Sequence, residues 1–117
     1  MTDMNDTPPL FSGLDLLAAT VLVLDAGLLV RYINPAGENL LAVSGRAITG
    51  RTLAEVCTCS TTLQSALDNG LANNWGYTGQ NIQLKRSDGE LLHLNCTVTP
   101  LRPDIAGGMR LLLELQP

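Results

Sequence analysis

At 117 residues, 45% hydrophobic and 15% charged, the chain is long enough for one domain with its own core and too apolar for a disordered segment. Its net charge of −4 lacks the concentrated positive field that nucleic acid or an anionic membrane selects, and no apolar run approaches the ~20 residues of a bilayer span. Three cysteines, an odd number, fit reduced thiols better than a disulfide framework, and residues 1–13 lack the basic start and apolar core of a signal peptide, so a cytoplasmic protein is expected.

Residues 1–9 are polar and end in Pro8-Pro9, the composition of a flexible leader, and residues 10–117 are read as a single domain. Ser12 with Asp15 three positions on has capping-box spacing, while Leu10, Leu14 and Leu17 share a helical face. A short amphipathic helix is expected there, ending near Ala19. Residues 20–25 (TVLVLD) read as an apolar strand, Asp25-Ala26-Gly27 as a turn, and residues 28–33 as a second strand covered on both faces.

Asn34-Pro35-Ala36 then changes the pattern. The Asn34 side chain can accept from the free amides of a first helical turn, and Pro35 loses no needed donor and has its φ preset. Ala36, Leu40 and Val43 repeat at helical spacing, with Gly45 expected at the left-handed position after the last turn. Gly37 stands where a stronger helix former would be expected. Glycines 45 and 50 break the following stretch into helical turns at residues 47–49 and 52–56. Residues 60–71 carry Leu63, Ala66 and Leu67 on one side of a last helix, with Gly70 as its stop.

Three strands complete the chain. Residues 77–86 and 90–101 flank a Ser87-Asp88-Gly89 hairpin signal, and residues 109–115 follow a loop bearing Pro103 and Gly108. The order, one helix, two strands, three or four short helices and three strands, implies an antiparallel sheet crossed on one face by the helical segment.

This order, with Asn34, Pro35 and Ala36 opening the first helix after the second strand and Asp88-Gly89 turning between later strands, resembles a PAS domain. Within that superfamily it is similar to the N-terminal sensor domain of the nitrogen regulation histidine kinases of the NtrB class. The similar residues run from LDLLAATVLVLD through VRYINPAGENLLAVSGRAITGRTLAEV to DGELLHLNCTVTPL and GMRLLLEL, about residues 14–116. The resemblance implies an α+β fold: a five-stranded antiparallel sheet with short helices on one face and an N-terminal amphipathic helix. It also implies a parent kinase that phosphorylates its own histidine and passes the phosphoryl group to a response regulator under control of the PII signalling protein. The phosphoacceptor helix and ATP-binding domain of such kinases are absent from these residues, so no catalysis and no catalytic residue is expected of this chain.

The chemistry-bearing residues are few. The Asn-Cys-Arg-Phe-Leu motif of flavin-binding PAS domains is missing, and residues 60–71 hold no histidine of the kind that ligates haem in others. His93 shares a strand face with Leu91, Asn95 and Thr97, opposite Leu92, Leu94 and Cys96, which suits a partly exposed sheet histidine. Cys57 and Cys59 could offer two thiolates to a metal or act as a redox pair, but a closed zinc site wants four ligands, and His93 and Cys96 would have to complete it. Asp25 and Glu38 have ready roles in a turn and in a first helical turn. The cleft where a PAS ligand lies would be bounded by Ala36, Leu40, Leu53, Leu63, Leu67, Leu94 and Cys96, aliphatic side chains that suit a filled core better than a cofactor pocket. No cofactor is expected. A small-ligand or cofactor-binding PAS sensor stands as the alternative.

The low charged fraction favours a homodimer. Leu10, Phe11, Leu14 and Leu17 would form its interface, beside a second sheet face carrying Leu22, Leu24, Leu29, Ile33 and Leu112.

Overall fold

A computed structural model describes residues 19–101 and 110–117. The leader at residues 1–9, the expected helix from residue 12 as far as residue 18, and the proposed interface residues Leu10, Phe11, Leu14 and Leu17 lie outside that range.

The described chain runs β1 (Thr20–Leu24), β2 (Val30–Ile33), α1 (Pro35–Leu41), α2 (Gly45–Ile48), α3 (Leu53–Val56), β3 (Cys57–Cys59), α4 (Thr61–Asn73), β4 (Tyr77–Arg86), β5 (Leu91–Leu101) and β6 (Arg110–Gln116). All strands join one antiparallel sheet in the order β2-β1-β6-β5-β4-β3. β1 and β6, first and last in sequence, are central neighbours, with Thr20 opposite Leu115 and Leu24 opposite Leu111.

Among the described residues the sheet has six strands rather than the expected five. The extra one is Cys57–Cys59, paired with Arg86–Leu84 of β4. Three residues give no period to read, and this strand exists only because β4 offers it an edge. The second strand starts later than expected because Leu28 is left-handed (φ 59) and closes the turn through its N–H to the Asp25 carbonyl, while Asp25 Oδ1 accepts from Gly27 and Leu29.

Two glycines do other work than ending helices. α1 stops at Ala42, itself left-handed (φ 56), with its amide bonded to the last turn; Gly45 instead opens α2, its amide donated to the Glu38 carboxylate. A Cβ on Gly45 would stand 2.8 Å from Glu38 Oε2, so the residue permits a close approach. α4 runs through Gly70 to a left-handed cap at Asn74. Gly70 is buried where the helix crosses the sheet, and its missing Cβ would meet Leu111 Cδ2 at 2.9 Å and Val98 Cγ1 at 3.4 Å.

The helices cover one face, and the main core forms between the layers from Leu22, Leu24, Leu41, Leu53, Leu63, Leu67, Leu84, Leu94, Leu111, Leu113 and Leu115 with their neighbours. A smaller cluster, Val23 and Tyr32 with Leu101 and Leu112, gathers separately. Leu22, Leu24 and Ile33 therefore belong to the main core and not to the second face; of the residues expected there only Leu112 is in the smaller cluster. TVLVL is nearly all apolar, so hydropathy could not set the phase of its alternation, and in β2 the extra residue Arg31, between the partners of Val23 and Leu24, puts Val30 and Ile33 into the same core.

Candidate functional site

The strand-to-helix junction is built around a fully buried Asn34. Its Oδ1 accepts from the amide of Gly37 at 2.9 Å, capping α1, and from the amide of Val21 at 3.0 Å on the neighbouring strand. Its Nδ2 donates to the Ala19 carbonyl at 2.7 Å, and its backbone amide to the Val21 carbonyl at 3.0 Å. Capping was legible from Asn-Pro-Ala. The hold on β1 was not, because it spans thirteen positions in sequence.

Gly37, one turn into α1, is buried against β2 and β1. A Cβ there would stand 2.6 Å from Ile33 Cγ1 and 3.1 Å from Thr20 Cγ2. The weak helix former is thus what lets α1 lie down on the sheet.

The expected cleft residues divide into two sets. Leu53, Leu63, Leu67, Leu94 and Cys96 meet in the main core, each almost or wholly buried, and together they fill the space between sheet and helices. Ala36 and Leu40 instead border a shallow groove of about 580 Å³ at the end of the sheet, beside Thr20, Asn39 and Leu115. Leu40 also packs against the core. No buried side-chain nitrogen or oxygen among the described residues lacks a hydrogen-bond partner, so no polar group inside awaits a ligand.

Asp88 and Gly89 turn the β4–β5 hairpin, Gly89 with φ 93. Arg86 holds the turn: its guanidinium donates to both Asp88 oxygens, at 2.6 and 3.1 Å, and reaches the Leu40 carbonyl at 3.3 Å in the last turn of α1. Hydrogen bonding to Arg86, then to the Glu90 amide, holds the Asp88 carboxyl below its ordinary range. Arg86 was not singled out from sequence; the charged pair flanking Ser87 was the available signal.

The thiols lie along the neighbouring strand, Cys57 opposite Arg86 and Cys59 opposite Leu84. Cys57 is buried in the core, Cys59 is half-buried against it, and both point inward from β3, two residues apart. A thiol hydrogen bond from Cys57 lowers the Cys59 pKa against the opposing effect of burial, while that contact and then burial push the Cys57 thiol up. Burial and then the Cys59 charge raise Cys96 to about 11. Among the described residues no three His, Cys, Asp or Glu side chains are placed to hold a metal ion, so His93, exposed on β5, does not complete a site with Cys57 and Cys59.

Among the described residues no helix is long and apolar enough to cross a membrane. Comparison with known proteins gives a consistent answer. A family model described as the PAS fold matches residues 14–115. The PAS domain of nitrogen regulation protein NR(II) from Vibrio parahaemolyticus is similar at 26% identity and a TM-score of 0.76, covering 94% of this chain and 98% of that one. A PAS domain from a two-component sensor histidine kinase (10% identity, TM-score 0.71, 92% and 91% covered) and one from the fruit-fly ELK potassium channel (11%, 0.73, 98% and 97%) share the fold. Comparison with curated protein sequences gives no match.

Proposed function

Because the chain belongs to the PAS fold family, we propose that it is the regulatory input domain of a cytoplasmic sensor histidine kinase of nitrogen regulation, acting as a homodimer that relays a signal to the kinase core of its parent chain. The observation that carries this reading is the likeness to the NR(II) domain, which extends over nearly the whole of both chains. The PAS domain itself is non-catalytic. In this reading phosphoryl transfer to a response regulator, and control by PII, belong to the parent kinase.

The interior supports a relay role. A PAS domain that senses through a bound group keeps a cavity with a few convergent polar atoms, whereas here Leu53, Leu63, Leu67 and Leu94 occupy that space. A signal then passes as contact and displacement. Dimerisation through Leu10, Phe11, Leu14 and Leu17 is supported by the low charged fraction and by the apolar cluster of Val23, Tyr32 and Leu112, which lies outside the main core.

Two measurements test this. Native mass spectrometry of the purified domain is expected to give a dimer without added mass; a monomer, or a reproducible adduct, overturns the dimeric relay. Exchanging this domain for that of a nitrogen regulation kinase is expected to preserve PII-controlled phosphorylation of the response regulator. A chimera whose phosphorylation ignores PII overturns the nitrogen assignment.

A further inference from the structure

We propose that Cys57 and Cys59 form a peroxide-responsive thiol pair, in which Cys59 is oxidised first, Cys57 closes a disulfide onto it, and β3 leaves the sheet edge as the bond forms.

The geometry sets this out. Both side chains point from β3 toward the core, Cys57 buried within it and Cys59 half-buried against it, the more exposed of the two. An extended strand rises about 3.3 Å per residue, which puts Cα atoms two residues apart roughly 6.7 Å from each other, at the upper end of the ~4.4–6.8 Å window for disulfides. Side chains standing parallel on one face keep their Cβ atoms well beyond the ~3.8 Å a disulfide needs. The pair is therefore close enough for one thiol to polarise the other, and bonds only if the strand contracts.

β3 is the strand best able to do so. It has three residues, one hydrogen-bonded neighbour and the outermost place in the sheet. Its ends are mechanically connected: the Cys57 amide caps α3 on the Leu53 carbonyl, and Ser60, next after Cys59, caps α4 through the Leu63 amide while donating its own amide to Gln83. Contraction between Cys57 and Cys59 thus shifts the joint between α3 and α4 and the last ladder bond to β4.

The chemistry balances with hydrogen peroxide as oxidant. The Cys59 thiolate, favoured by the Cys57 S–H beside it, attacks one peroxide oxygen; the O–O bond breaks, hydroxide leaves and Cys59 becomes a sulfenic acid. The Cys57 sulfur then attacks the Cys59 sulfur, an S–S bond forms, and the hydroxyl departs with the Cys57 proton as water. Two electrons pass from the two thiols to the peroxide, and a dithiol reductant reverses the change.

The test uses the whole chain with hydrogen peroxide. Iodoacetamide is expected to modify Cys59 about tenfold faster than Cys57 or Cys96. Peroxide is expected to remove two hydrogens from the intact mass, with peptide mapping placing the bond between Cys57 and Cys59. C59S should abolish the oxidation, and C57S should stop at a dimedone-trappable sulfenic acid on Cys59. C96S, which leaves the pair in place, should behave as the parent and carries the test if C57S does not fold. Hydrogen exchange should speed up at the β3–β4 amides of the oxidised protein. Equal reactivity of the three thiols, a bond that involves Cys96 or a second chain, or an oxidised protein whose β3–β4 protection is unchanged overturns the proposal.

Discussion

Asn34 Oδ1 takes the amide of Val21 and the amide of Gly37 at nearly equal distances, so a single oxygen holds the first strand and the first helix to one point. Because the atom is buried, its loss leaves two amides without water to replace it.

Asn34→Ala is therefore expected to cost about 3 kcal/mol, combining a lost cap with an orphaned strand amide. Ser60→Ala, which removes the α4 cap and no strand contact, should cost about 1 kcal/mol. Urea denaturation of both variants checks the difference. Equal losses would mean that the Val21 contact contributes nothing beyond capping.

Gly37→Ala inverts the usual expectation. In an exposed helix the change stabilises by about 1 kcal/mol, but here the new methyl meets Ile33 Cγ1 and Thr20 Cγ2, both on β-branched side chains with little freedom to turn aside. Overpacking of this kind costs about 1–3 kcal/mol, so the variant should melt below the parent. Thermal unfolding followed by circular dichroism decides the sign.

Leu67 is wholly buried in the space where a ligand-binding PAS domain would open its cavity. Leu67→Ala is expected to destabilise by about 3 kcal/mol and to leave an apolar void. Benzene should then raise the melting temperature of the variant and leave the parent unmoved. Stabilisation of the parent by benzene would show that the interior is not full.

The Asp88 carboxyl is held low by Arg86 in the fold, so its contribution is fully present above the ordinary carboxylate pKa of about 3.9 and fades as pH falls through the lowered value. Asp88→Asn should flatten the acid limb of the stability profile. A residual slope is expected from Glu55, whose carboxylate is likewise lowered by the Thr52 amide and hydroxyl. Denaturation midpoints between about pH 2 and 6 measure both.

Most of this architecture was legible because its signals are local. Apolar or alternating runs located five of the strands, β1 over its whole length, and Asn34 announced the start of α1, whereas the Ser60 cap and the Thr52–Glu55 capping box were not singled out. What else escaped depends on contacts distant in sequence. β3 exists through pairing with β4; Gly45 and Gly70 serve close approaches to Glu38 and Leu111, although each looks like a stop signal; and Ala42 takes a left-handed cap that glycine would ordinarily fill. The cleft list mixed two places for the same reason. Ala36 and Leu40 share α1 with the junction, but their helix face turns toward the end of the sheet, while Leu53, Leu63 and Leu67 close over its middle.

Thr20 and Leu115 face each other across the β1–β6 ladder, so the described chain enters and leaves the sheet on adjacent strands at the same end. A longer polypeptide can carry such a unit like a bead tied into a string, with entry and exit strands already side by side and no span to bridge. The same adjacency shortens the path of information. A pull or twist on the entering strand reaches the leaving strand through one row of backbone hydrogen bonds, before the rest of the fold has had to move.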